Sequence, residues 1–144
     1  MIREISWYLP NTPGEFSRVL KALADAGVNI RSFSVDLSAP YSKVRLACDD
    51  VETAKKQFTQ WEYAYEEARV FALSMPDAPG QLLRVADLLG RNDINIEYGY
   101  VTLGPKAGEA LVILKTNREE QAQRVFAQAG FQDHDLIPNP PKRS

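Results

Sequence analysis

The chain has 144 residues, 25% of them charged, with a net charge of -2 and a pI near 5.5, a balance that calls for neither a polyanion nor an anionic membrane as partner. No apolar run approaches the ~18 residues that span a bilayer, the start MIREISWYLP lacks the basic-then-apolar order of a signal peptide, and the single cysteine, Cys48, can form no internal disulfide. A soluble protein in the cytoplasm is the default expectation, with no nucleic acid and no membrane among its partners.

Residues 2–9 are rich in β-branched and aromatic types and are stopped by Pro10-Asn11-Thr12-Pro13, which predicts a strand. Phe16, Val19, Leu20 and Leu23 then fall at i, i+3, i+4 and i+7, the stripe of an amphipathic helix. Proline suits its first turn, with Asn11 or Thr12 as the capping side chain and Thr12 with Glu15 fitting a capping box. Ala26-Gly27 ends it. Phe33, Val35 and Leu37 alternate with Ser34 and Asp36 on a half-buried strand, and Val44, Leu46 and Cys48 mark the next. A second helix carries Val51, Ala54 and Phe58, and the alternation of Trp61, Tyr63 and Tyr65 predicts a closing strand over residues 62–67. The same order then begins again.

Residues 10–37 recur 66 positions later as residues 76–103, with ten identities in the 28-residue window, and beyond the next loop the offset becomes 68. Leu82, Val85, Ala86 and Leu89 repeat the helical stripe, with Asp77 as the candidate cap, and residues 130–136 repeat the closing strand. Two copies of one unit follow from this, residues 1–68 and 69–137, each in the order βαββαβ of the ferredoxin-like plan. A copy of that size buries only about 60% of its unfolded surface, so the two are expected to fold against each other. The proline-rich tail, residues 138–144, is expected to be disordered.

A strand, a Pro-Gly turn preceded by Asn or Asp, an amphipathic helix, and then Gly-Val-Asn-Ile (27–30) or Asp-Ile-Asn-Ile (93–96) resemble the ACT domain, a regulatory amino-acid-binding module. Asp77-Ala78-Pro79-Gly80 matches the family's Asp-x-Pro-Gly pattern, and Asn11-Thr12-Pro13-Gly14 stands in its place in the first copy. The resemblance spans residues 1 to about 137, an arrangement similar to small stand-alone proteins of two tandem ACT domains rather than to enzymes that carry one as a regulatory tail. It implies an α+β fold of two units side by side, forming one eight-stranded antiparallel sheet with helices on one face. Residues 28–37 and 94–103 would be the joining strands.

The resemblance also implies a ligand at the junction, between the Pro-Gly loop of one copy and the Asn-Ile strand start of the other. The preferred pocket uses Asp77, Ala78, Pro79 and Gly80 with Asn29 and Ile30. Its mirror uses Asn11, Thr12, Pro13 and Gly14 with Asn95 and Ile96, and Tyr98 is a candidate lining residue. Amides at a helix start favour an α-carboxylate, Asp77 suits an α-ammonium group, and an asparagine offers both donor and acceptor. The bland alternatives are that Pro13-Gly14 and Pro79-Gly80 are simple helix-start turns, that Asn29 and Asn95 satisfy the local backbone, that Asp77 is only a cap, and that Tyr98 packs a sheet. His134 and Cys48 stand apart and form no metal or nucleophile constellation, and no acid/base pair emerges at a useful spacing. The expectation is a non-enzymatic sensor of a free amino acid, without cofactor or metal, that signals to a regulated protein and leaves a homodimer open. The alternative is a ligand-free module for protein interaction or oligomerisation.

Overall fold

The structure is a computed structural model that describes residues 1–38, 40–135 and 137, with Ser38 described in its backbone only. The tail expected over residues 138–144 lies outside the described residues. Two compact units form, one of Arg3–Ala68 and the other of Met1–Ile2 with the described residues from Arg69 onward.

In the first unit, β1 (Ile2–Pro10), α1 (Glu15–Asp25), β2 (Ile30–Ser38), β3 (Tyr41–Cys48) and α2 (Val51–Gln60) follow in order. β3 is the middle strand, antiparallel to both β1 and β2. Ile5, Trp7 and Leu9 of β1 and Val44 and Leu46 of β3 share one face, because period-two alternation turns odd positions of β1 and even positions of β3 the same way. Val19 and Leu23 of α1 and Ala54 and Phe58 of α2 close over that face, so both helices lie on one side. Trp7 and Phe58 meet edge to face at 4.8 Å.

The second unit repeats this arrangement. β4 (Glu66–Pro76) and β5 (Ile96–Leu103) flank β6 (Glu109–Thr116), and α3 (Gln81–Arg91) and α4 (Glu119–Gln128) cover Phe71, Leu73, Val112 and Leu114 with Val85, Leu89, Ala122 and Phe126. Val70, Ala72, Leu111 and Ile113 point to the other face of β4 and β6, yet they too are buried. That double burial explains why β6 reads as the unbroken apolar run Leu111-Val112-Ile113-Leu114 rather than as an alternation.

The order of elements and the antiparallel pairing are as the repeat implies, but seven strands form among the described residues where eight were expected. The closing strand of the first unit is missing. Glu62 takes a positive φ of 57° after α2, and Tyr63 and Tyr65 turn their rings onto Phe58, so their alternation records aromatic packing on a helix and not a strand. β4 instead starts at Glu66 and runs on without a linker into the second repeat. The closing strand of the second unit shrinks to β7 (Gln132–Asp133), which pairs with β4 at Leu73 and Ser74. Asp133 is held there by the Met1 amine and by the Ala72 N–H, both at 2.9 Å. The helical stripe of the second copy is also narrower than its sequence suggests: Val85 and Leu89 are buried, while Leu82 and Ala86 are exposed.

Ion pairs gather at one place in the first unit. Arg3 binds Glu52 and Glu67, and Lys55 binds Glu67 at 3.0 Å. Hydrogen bonds from Arg3 first and Lys55 second hold the Glu67 carboxyl down at about 2. Cys48 is half-buried against the first core, and its burial pushes the thiol up to about 11, which leaves it protonated and inert at neutral pH. His134, half-buried, follows β7, with its N–H on the Ala72 carbonyl and its ring 3.0 Å from the Ser74 hydroxyl.

Gly99 fits β5 to β6 because a Cβ there would stand 2.6 Å from Leu114 Cδ2 and 3.0 Å from the Ile113 carbonyl oxygen. Gly99→Ala is therefore expected to cost about 1–3 kcal/mol in urea unfolding, the range for overpacking a filled site. A loss within about 0.5 kcal/mol would mean that the two strands separate freely.

Candidate functional site

Each first helix begins at a glycine in the left-handed region, Gly14 at φ 90° and Gly80 at φ 86°. Only glycine takes that conformation without a Cβ penalty. It moves the helix start one residue beyond the expected place: Pro13 and Pro79 lie in the preceding turn, where the Glu15 and Gln81 N–H groups reach the carbonyls of Thr12 and Ala78. Neither helix has a side-chain cap, so the capping roles expected of Asn11, Thr12 and Asp77 are not taken up. These loops are tied down through their backbones instead. The Asn11 N–H donates to the Pro40 carbonyl at 3.1 Å and the Asp77 N–H to the Gly108 carbonyl at 2.8 Å, leaving both side chains exposed.

The other helices manage their N-termini differently. Asp50 caps α2 through the Thr53 N–H at 2.9 Å, with Glu52 in the first turn, and α4 places Glu119 and Glu120 there. α1 carries Glu15. α3 alone among the four has neither a capping side chain nor an acidic residue in its first turn. Its amides and the positive end of its dipole are therefore uncompensated by the helix's own side chains. A Cβ at Gly80 or Gly14 would meet nothing within 4 Å, so the main chain is open to approach at both places.

The strand starts are equally regular. The Asn29 N–H donates to Asp49 Oδ1 at 2.9 Å and its carbonyl accepts from the Asp49 N–H, while Asn95 makes the same pair of bonds with Asn117. Both asparagines are thus tied into local backbone pairing, with exposed side chains. Ile30 is half-buried against the first core and Ile96 is 39% exposed. Register breaks between Ile30 and Ser32, and again between Ile96 and Tyr98, so that Arg31 and Glu97 sit at bulges. Tyr98 is half-buried opposite Lys115, on the face away from the helices.

Within one unit the loop and the strand start lie far apart. The 77–80 loop stands beside Gly108 and Glu109 where β6 begins, whereas Asn95 and Ile96 stand beside Asn117 and Thr116 where it ends. Eight residues of β6 at ~3.3 Å each separate them by roughly 25 Å, too far for one amino acid to touch both. The same holds for residues 11–14, beside Tyr41, and Asn29, beside Asp49.

β2 pairs with β3 and β5 with β6, and among the described residues neither has a strand partner on its outer edge. The outer strands present largely exposed apolar side chains: Phe33 at 57%, with its ring 5.7 Å from Phe16 of α1, and Leu37 at 75% on β2, Val101 at 59% and Leu103 at 73% on β5. Leu82 and Leu83, in the first turn of α3 beside Gly80, are exposed as well. The exposure of Leu82 runs against its place in the expected core stripe, whereas Leu83 lies off that stripe; both stand in the first turn, one and two residues after the helix start.

No group of His, Cys, Asp and Glu suited to a metal occurs among the described residues, and no helix is long and apolar enough to cross a membrane. A family model described as an ACT domain pair matches residues 1–135. A search of curated sequences finds no match. Among solved structures, a protein from Bacteroides thetaiotaomicron is similar at a TM-score of 0.87 and 22% identity, with 92% of this chain and 91% of that one covered. The ligand-free regulatory subunit of aspartate kinase from Thermus thermophilus is similar at a TM-score of 0.62 and 19% identity, over 89% of this chain and 91% of that one. The corresponding subunit from Thermus flavus gives 0.59 and 15%, over 88% and 91%. At these identities the likeness is one of fold.

The two kinds of helix start lead to opposite stability effects. Asp50→Ala is expected to cost about 1 kcal/mol, the usual value of a lost cap, whereas Asp77→Ala should stay within about 0.5 kcal/mol because no capping bond is lost. Chemical denaturation of both variants checks this; equal losses would show that Asp77 caps α3 in solution.

Proposed function

The chain belongs to the ACT domain family, as a pair of ACT domains, and on that premise we propose that it is a regulatory protein that binds a free amino acid and reports its occupancy to a protein partner. The observation that carries this reading is the start of α3: an open glycine turn with uncompensated amides, preceded by an exposed aspartate. An α-carboxylate completes the amides, and Asp77 accepts from the α-ammonium group, so the two poles of a zwitterion meet the two features of one loop. The first copy offers the same amides beside Asn11, which is neutral, and carries Glu15 in its first turn, which repels a carboxylate. The 77–80 loop is therefore the preferred site and residues 11–14 the second.

Since a unit cannot bring its own loop and strand start together, Asn29 and Ile30 enter the proposal as the contribution of a different ACT unit to the 77–80 loop, with Asn95 and Ile96 as their counterparts in the mirror site. Tyr98 is kept as a lining candidate. The effect on the partner is limited to the ligand's differential affinity for two arrangements of the protein. The likeness to the Thermus regulatory subunits of aspartate kinase supports amino-acid control as the setting.

A second reading has its own observation. The exposed apolar side chains on β2 and β5, each beside an open strand edge, suit pairing with a protein surface, including a second copy of this chain.

Thermal unfolding with each common amino acid separates the two. At a ligand concentration near 100 times its dissociation constant, the stabilisation is about 2.7 kcal/mol, several degrees in a chain of this size. Asp77→Ala should reduce the shift and Asn11→Ala should reduce it less. No shift with any amino acid at millimolar concentration would reject the sensor and leave the interaction module.

A further inference from the structure

The internal repeat supplies a control for a pair of clefts on the helix side of the two units. In the first, of about 300 Å³, Arg18 of α1 meets Trp61 and Tyr63 beyond α2. In the second, of about 240 Å³, Arg84 of α3 meets Ala129 and Phe131 beyond α4, with Asp87, Leu88 and Arg91 along the helix. The offsets of 66 and 68 make these the same place in the two copies: Glu15, Arg18, Lys21 and Asp25 correspond to Gln81, Arg84, Asp87 and Arg91, and Trp61 and Tyr63 to Ala129 and Phe131.

The charges around the first cleft are matched. Arg18 donates to the Tyr63 hydroxyl at 2.5 Å and lies 3.7 Å from Glu15, and Lys21 binds Asp25 at 2.5 Å. In the second cleft each of those acceptors is gone. Arg84 has only the neutral Gln81 amide, at 3.1 Å, and stands over the Phe131 ring at 5.4 Å where the first copy has a hydroxyl. Arg91 replaces Asp25, and no ion pair or hydrogen bond is recorded for its side chain among the described residues. Two guanidinium groups and one carboxylate leave a net charge of +1 (2 − 1) beside the half-buried Leu88 and Phe131.

We propose that this second cleft is a binding site for a small monocarboxylate with a short apolar chain. The seven-residue spacing of Arg84 and Arg91 puts both on one face of α3, flanking Leu88, so their long side chains converge on a carboxylate held between them. The apolar chain lies on Leu88 and Phe131. Asp87 opposes a second negative charge and selects a monoanion over a dianion. This site is separate from the 77–80 loop and stands or falls independently of it.

Backbone amide spectra of the full chain, titrated at constant ionic strength with sodium acetate, sodium butyrate and potassium phosphate at pH 8, test the assignment. Butyrate should saturate shifts centred on Leu88, Arg91 and Phe131, severalfold more tightly than acetate because of its two added methylenes. Arg84→Gln and Arg91→Gln should each weaken it about tenfold, as expected for a lost charged hydrogen bond, and Arg18→Gln should leave it unchanged. The absence of a saturable shift with butyrate, a loss in Arg18→Gln equal to that in Arg84→Gln, or saturation with phosphate alone would each overturn it. An amino acid acting at the 77–80 loop would move the Gly80 and Gln81 amides instead.

Discussion

The constraint on which both halves depend is the turn from the first strand into the first helix. β1 ends at Pro10 and α1 begins at Glu15; β4 ends at Pro76 and α3 begins at Gln81. Four residues must reverse the chain from the sheet to the helix layer, and the last of them takes φ near 90°, which glycine alone tolerates easily. That geometry aims the helix so that Val19 and Leu23, or Val85 and Leu89, land on the core face of the strands. It also removes the side chain that would have capped the helix. One backbone requirement therefore both orients the helix for packing and leaves its first amides exposed at the protein surface.

The repeat made most of this architecture legible. Apolar residues at i, i+3, i+4 and i+7 located α1 and α3, period-two spacing located β2, the repeat located β5, and the loss of alternation over residues 111–114 follows from burial on both faces of β6. What the sequence obscured was decided by ring contacts and backbone angles that residue type alone does not encode. Trp61, Tyr63 and Tyr65 alternate as a strand does, but Tyr63 and Tyr65 answer to Phe58 at the end of α2, and Trp61 meets Tyr63. Asn11, Thr12 and Asp77 are good capping residues by type, yet the positive-φ glycine between them and the helix displaces the cap. Leu82 satisfies the helical stripe and still lies outside the core, which α3 enters only with Val85 and Leu89. The candidate site was legible as two loops and two strand starts; their separation within a unit follows from strand register, which spacing in the sequence does not encode.

Identity between the copies explains the fold, and departures between them divide the labour. On the proposed function, the change from Asn11 to Asp77 and from Glu15 to Gln81 favours the α3 turn as the host for a zwitterion, with a negative acceptor before the helix and no competing carboxylate inside it. The same Glu15-to-Gln81 change, with Tyr63 becoming Phe131 and Asp25 becoming Arg91, loosens an arginine that the first copy holds fast. In the first copy these charges are paired with one another, and in the second the proposal leaves them for a ligand. Among the described residues, the outer edges of β2 and β5 have no strand partner in either copy.

The central claim is that the α3 turn receives an α-carboxylate through its main-chain amides. Following the Gly80 to Leu83 backbone amides by heteronuclear NMR during titration with an amino acid, and with the same amino acid as its carboxamide, tests this most directly. Saturable shifts at Gly80, Gln81 and Leu82 with the free acid, lost with the carboxamide, are the predicted result. Amides of the α3 turn that stay still with every amino acid, or respond equally to acid and carboxamide, would contradict it.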